Sequence, residues 1–303
     1  MNLHIAILKN LKMKFFLLIL KSLILIIFIF NSWRCSSQKI QLENAKAQNI
    51  DFLVEQAQNL WDSRIDSNSI KKANYILGLA YEEQSSNAEI IKLYSKTLFF
   101  QGMFLENDKN KKDSLFYKGS EVAKKGVLNN ELFLNLLNNT IGDSSFKVLS
   151  ALSEAPMELV PAMYWWVTNK LWHLNSKPAI ERINHRELLE IVMHRIISLD
   201  PNYHYGGAYR FFGVFYSRIP GVEINQSKTY FEKAISSNEN YFGNKVQMAE
   251  FFYQKAENKP SFLIQLQQVI NLDASMHTEM MPENLYYQKR AKNLLNQQDT
   301  LFE

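Results

Sequence analysis

The stretch Leu199–Ile235, LDPNYHYGGAYRFFGVFYSRIPGVEINQSKTYFEKAI, decides how this chain is read. Its first residue closes one helix, and Asp200-Pro201 marks a turn because proline cannot continue a helix. An aromatic-rich helix follows, then a short loop at Pro220-Gly221, then a second helix with Phe231 and Ala234 on one face. In the first helix Tyr209, Phe212, Gly213 and Tyr216 recur at spacings of 3, 1 and 3, and in the second Ser227, Phe231 and Ala234 recur at 4 and 3. Small residues at such positions let two helices approach, while the aromatics fill the space beside them. The unit is a helical hairpin that cannot bury its apolar face alone and has to stack on neighbours.

Working outward, the chain from residue 50 onward shows helical periodicity and no sustained alternation of the strand type. The spacing predicts helices over 50–62, 68–83, 87–105, 113–127, 130–139, 144–152, 158–173, 178–199, 204–217, 226–237, 243–256, 260–271 and 283–296. Short polar connections, such as Glu83-Gln84-Ser85-Ser86 and Asn175–Lys177, predict antiparallel neighbours stacked pairwise. Ala73, Leu77 and Ala80 repeat the second-helix pattern, as do Leu189, Met193 and Ile196; Ile90, Leu93, Tyr94 and Thr97 are a looser first helix. Lys245, Met248, Ala249 and Phe252 begin a last pair. The repeats share no clear sequence, so the fold class is all-α, stacked antiparallel helical hairpins forming a degenerate tetratricopeptide (TPR)-like solenoid. Such scaffolds offer concave surface for binding. With only 10 Gly and 7 Pro in 303 residues, the chain lacks the turns a β-sandwich needs.

The net charge of +4 comes from the N-terminus. Residues 1–34 hold Lys9, Lys12, Lys14, Lys21 and Arg34 and no acid, so without them 34 − 5 = 29 basic residues face 30 acidic ones. The remainder is at −1, with no global basic field, and nucleic acid is not an expected partner. The uninterrupted apolar core Leu23–Phe30 is eight residues, about 12 Å of helix, against the ~20 residues that cross a bilayer. Residues 1–34 therefore read as a signal peptide of the lipoprotein type. Cys35, the single cysteine, follows it and is the expected lipidation site, anchoring the protein to a membrane. Trp33-Arg34 stand where small residues usually precede an acylated cysteine, and the other reading is a membrane-flanking cysteine after an uncleaved anchor. A polar tether over 35–48 and one TPR-like helical domain over 49–303 complete the organisation, with the body outside the cytoplasm.

The Leu-Asp-Pro, Tyr205-Gly206-Gly207-Ala208-Tyr209-Arg210, Phe212-Gly213, Tyr216, Pro220-Gly221 and Tyr230–Ala234 elements together resemble the signature of the T component of TPR-associated TRAP transporters, the TatT family. Trp61 with Arg64 and Ala73 resembles that family's opening helices, Pro161–Trp166 with Lys170-Leu171-Trp172 its central helix, and Lys245–Glu250 the helix after the signature. Val222–Asn225 depart from the paired glycine-aspartate usual after the Pro-Gly loop. The resemblance implies a periplasm-facing envelope lipoprotein that binds the periplasmic TRAP substrate-binding protein and handles a small carboxylate or apolar ligand. It also implies a pore or cavity through the protomer and a homo-oligomer, a trimer. The alternative is a TPR scaffold that assembles envelope proteins without handling any ligand.

Candidate binding residues follow from chemistry. Gly206 and Gly207 allow positive φ or close approach of a ligand, or else tight helix packing. Arg210, among Tyr209 and two phenylalanines, needs partners if buried: a carboxylate ligand held bidentately, or an ion pair with a neighbouring helix. Tyr164, Trp165, Trp166 and Trp172 make an aromatic helix whose rings line a cavity or fill the core, Trp165 and Trp172 sharing one face. Tyr205 and Tyr209 complete the set. The six histidines show no metal-ligand spacing, and neither a nucleophile elbow nor a phosphate loop occurs. No enzyme activity, cofactor or metal is expected.

Overall fold

The computed structural model describes residues 46–303. Cys35, the apolar run before it and most of the tether lie outside the described residues. The helical body is the unit Leu53–Glu303. Its described residues hold no strand, and none of their helices is long and apolar enough to cross a membrane.

Fifteen helices follow in order: α1 over 46–62, α2 Ser67–Glu83, α3 Ala88–Phe100, α4 Lys109–Leu128, α5 Glu131–Asn139, α6 Ser144–Ser153, α7 Val160–Leu174, α8 Ala179–Asn184, α9 Arg186–Leu199, α10 Tyr203–Ser217, α11 Ile224–Ser237, α12 Phe242–Gln247, α13 Lys259–Asn271, α14 Met281–Asn296 and α15 Gln298–Leu301. Polar residues ahead of many of them set their starts. Asp66, Asn87, Asp108, Asn130, Asp143 and Asn258 each accept hydrogen bonds from backbone N–H groups in the first turn that have no partner inside the helix. Two helices widen at their ends into π-turns, α3 over Gln101–Leu105 and α12 over Met248–Tyr253.

The second-helix pattern is the core in each place it occurs. Ala73, Leu77 and Ala80, then Leu189, Met193 and Ile196, then Ser227, Phe231 and Ala234 are all 0% exposed. In the opening hairpin α10 lies closely on α11. A Cβ at Gly213 would stand 2.7 Å from the Phe231 ring, so only glycine admits that aromatic. Ser227 Oγ donates to the Gly213 carbonyl at 2.7 Å, closing the same contact with a polar bond.

Four departures from the simple stack matter. The helix predicted over 178–199 breaks at His185, whose backbone leaves the helical region between α8 and α9. The pairing of successive helices also fails at α4, which packs chiefly on α7. The α5–α6 hairpin lies aside, and α5 buries only Phe133 while Leu132, Leu134 and Ile141 beside it stay exposed. Finally, the two ends of the Leu53–Glu303 unit meet. Arg64, after α1, donates from Nε and Nη2 to the two carboxylate oxygens of Glu283 in α14, at 3.0 and 2.9 Å, and both side chains are buried. Tyr286 and Tyr287 of α14 close on Phe104 at ring-centroid distances of 5.2 and 5.1 Å.

Breaking one side of a buried ion pair strands the other charge. Glu283→Ala should therefore cost about 3–5 kcal/mol of unfolding free energy, and Arg64→Met with Glu283→Leu should recover most of that loss. Denaturant titration checks both, and a single variant within about 1 kcal/mol of the native protein would show that the closure does not depend on the pair.

Candidate functional site

One face of α10 organises the interior. Gly207, Phe211, Val214 and Arg218 follow each other at helical spacings of three and four, so they share that face, and His204 stands just before them on the non-helical start of α10. In order, they line three spaces. His204 and Tyr205 border a cavity of about 410 Å³ with Trp61, Lys96, Arg64 and Glu283. Gly207, Arg210, Phe211 and Val214 border a void of about 20 Å³ with Tyr164, Trp172 and Tyr287. Ser217 and Arg218 border a polar cleft of about 860 Å³ with Arg182, Glu250 and Lys255. From Gly207 to Arg218 the helix advances about 16 Å. The middle void has room for one water, so the row narrows sharply between its two wider ends.

The narrowing is built by an unusual backbone. His204, Tyr205 and Gly206 all lie in the left-handed region, at φ of 49°, 62° and 71°. That conformation costs about 1–2 kcal/mol at each non-glycine residue, and only Gly206 adopts it freely. Gly207 then brings the Tyr164 side chain so close to the backbone that a Cβ would collide with its ring and hydroxyl. These three left-handed residues re-aim the chain and set the His204 and Tyr205 rings across the row.

Arg210 holds the turn in place. Its guanidinium is buried and meets no carboxylate. Nη1 donates to Asn244 Oδ1 at 2.7 Å and to the Tyr205 carbonyl at 3.3 Å, and Nη2 donates to the Tyr164 hydroxyl at 3.2 Å and the His204 carbonyl at 3.3 Å. His204 Nδ1 lies 3.0 Å from the same Nη2. The Tyr241 ring adds a cation–π contact at 4.7 Å. Asn244, fully buried, ties the arrangement to α11 by donating to the carbonyls of Ala234, Asn238 and Tyr205 at 2.8, 3.0 and 3.2 Å. A guanidinium only donates, so His204 Nδ1 accepts and the ring carries its proton on Nε2. Burial, then the neighbouring Arg210 charge, hold the His204 pKa well below its ordinary 6.5.

The other predicted residues divide. Tyr164 and Trp172 line the middle void, and Trp172 reaches Phe251 of the polar cleft at 5.9 Å. Trp165 packs on Phe99 and on His204, at 5.4 and 4.8 Å, behind the cavity wall. Trp166 is buried in the core and borders none of the three spaces. Tyr209 faces the other way, near Tyr230 of α11.

A family model described as TRAP transporter T-component matches residues 101–302. The chain belongs to the TRAP transporter T-component family. No curated protein matched the chain. The match runs from the π-turn after α3 to the C-terminus, and so takes in the latched turn and the polar cleft. Trp61, Arg64 and Lys96 precede it.

Sequence reasoning passed over several residues that build this T-component site. His204 looked solitary because its partners are 6 and 40 positions away. Asn244 carries no motif at all. Lys96 did leave a signal, as the single charge between Leu93 and Leu105 on a helix otherwise suited to the core. Among the described residues no group of three or more His, Cys, Asp or Glu could hold a metal ion.

Two outcomes follow from the latch. Arg210→Lys keeps the charge and loses the fork, and should cost about 3 kcal/mol in denaturant unfolding, since bonds to charged groups contribute about 1.5–3 kcal/mol; an unchanged midpoint would contradict it. His204 is neutral in the folded protein and binds protons more readily when unfolded, so stability drains away as pH falls below about 6.5. His204→Gln should flatten that part of the stability–pH curve, and a curve parallel to the native one would show that His204 charges freely.

Proposed function

We propose that this T component is an envelope lipoprotein, anchored at Cys35 and facing the periplasm, that docks the substrate-binding protein of a TRAP transporter and holds a small ligand in the spaces along α10. The carrying observation is the family match over 101–302, which covers the helices α4 to α15. Membership supports an accessory role in a TRAP transporter. The row of spaces supports the ligand: a cavity of about 410 Å³ falls within the range of small-molecule sites, and its lining sets the rings of Trp61, His204 and Tyr205 beside several charged side chains. A void of one water between the two wider spaces suits a path that opens when the His204–Gly206 turn shifts. A homotrimer, as in the family resemblance, is the assembly we propose.

Affinity capture tests the partner directly. The full-length protein, tagged at its C-terminus and expressed with the TRAP genes of its own genome, should retain the periplasmic substrate-binding protein through washing at moderate salt. Failure to retain it, with the permease partners intact, would remove the docking role. Mass spectrometry of the mature protein should find Cys35 as an acylated N-terminal residue; an unmodified Cys35 still joined to Arg34 would end the lipoprotein assignment.

A further inference from the structure

The cavity at the Trp61 end contains a cation without a counter-ion. Lys96 projects from α3 with its Nζ 3.9 Å from the Trp61 ring centroid. It is half-buried, and no ion pair or hydrogen bond joins it to any described residue. Arg64, whose guanidinium carbon lies 4.5 Å from the same ring, is neutralised by Glu283 and also donates to the backbone carbonyls of Trp61 and Glu279. Beyond His204 stands the second unneutralised cation, Arg210, with neutral acceptors on both of its terminal nitrogens.

His204 separates the two charges and borders the cavity. Its Nδ1 faces Arg210 and Tyr164, at 3.0 and 3.2 Å, so its Nε2–H remains as a donor with no partner among the described residues. The Tyr205 hydroxyl, in the same wall, has no hydrogen-bond partner there either, while its ring stacks on Tyr241 at 4.8 Å. The lining carboxylates do not satisfy Lys96. Glu283 has both oxygens on Arg64; Asp62 and Glu279 are exposed at the rim, where water and salt screen them, and Asp62 accepts from Gln58 at 2.9 Å. An ammonium, an imidazole N–H and a phenol thus converge on one space beside a tryptophan face, and none of the three is hydrogen-bonded to the Asp62, Thr278, Glu279 or Glu283 side chains of the same lining.

We infer that the cavity bounded by Trp61, Lys96, His204 and Tyr205 binds a small organic monoanion, its acidic head on the Lys96 ammonium and its body against the Trp61 ring. The inference rests on the ligand-holding half of the proposed function and is independent of the docking half. The same site explains why a lysine stands in an apolar helix, and why removing it does not strand any partner charge. Burial and the Arg64 charge pull the Lys96 pKa down to about 8, with Lys92 adding to the shift and Glu283 and Asp62 opposing it. An anion prefers the charged ammonium, so affinity should weaken as pH rises past about 8 in the free protein.

Calorimetric titration of the full-length protein in detergent, with sodium benzoate, benzenesulfonate and neutral benzamide at pH 7, tests this. Benzoate or benzenesulfonate should bind, benzamide should bind about tenfold more weakly or less, and the anion affinity should fall between pH 7 and 9. Lys96→Met should lose about tenfold or more of the anion affinity with no loss of melting temperature, and Lys96→Arg should keep part of it. Benzamide binding as tightly as the anions, an unchanged affinity in Lys96→Met, or no anion binding by the native protein at millimolar concentration would each overturn the site. Capture of the substrate-binding protein separates the two proposals. Native protein that captures its partner but binds no anion defeats this inference alone, and native protein that binds benzoate but captures no partner defeats the docking role alone.

Discussion

A buried guanidinium without a carboxylate must spend its N–H groups on whatever acceptors are near, and in this protein those acceptors are the carbonyls of a strained turn. Arg210 binds the carbonyls of His204 and Tyr205, two residues held left-handed at a cost of about 1–2 kcal/mol each. The charge and the strain stabilise one another. Without the guanidinium the turn has little reason to stay left-handed, and without the turn the guanidinium lacks partners. Asn244 extends the arrangement to the end of α11, so the strained segment is tied to the partner helix of its own hairpin. Strain of this kind persists where surrounding structure over-determines it, which is common at ligand clamps and switch regions.

Much of the fold was legible because helical hairpins announce themselves locally. The 3.6-residue period located every long helix among the described residues, and the second-helix triples landed on residues with no exposure, Leu77, Met193 and Phe231 among them. What stayed hidden was long-range. Nothing near Arg64 in the chain points to Glu283, 219 residues on, and so the meeting of α14 with the turn after α1 had no local sign. The α5–α6 excursion was hidden for a similar reason. Periodicity reports which face of α5 is apolar and not whether a neighbour covers it, and here Phe133 is fully buried, Leu136 and Leu137 are partly covered, and Leu132 and Leu134 stay exposed.

The site was legible in part, and for physical reasons that differ by residue. Tyr164, Trp172, Gly207 and Arg210 line the middle void, Tyr205 lines the cavity before it, and Gly206 packs on Ala234 and Ser237 of α11. Trp166 and Tyr209 stood out by type alone, and the rotation of their helices carries them away from the row. The strand of reasoning that sought a carboxylate for Arg210 met a different solution, neutral acceptors gathered from four residues. An unneutralised cation that faces open space is Lys96 on α3, far in the chain from the signature stretch. The family's matched span and the Lys96 cavity thus meet at the His204 ring, with the polar cleft of Arg182 and Arg218 at the far end.

The account depends most on the claim that Arg210 keeps the His204–Gly206 turn closed across the row. Amide hydrogen exchange over residues 203–210, compared between the native protein and Arg210→Met, tests it most directly. Slow exchange in the native segment, lost in the variant while Ser227–Ala234 stays protected, is the predicted result. Equal protection of residues 203–210 in both proteins would contradict it.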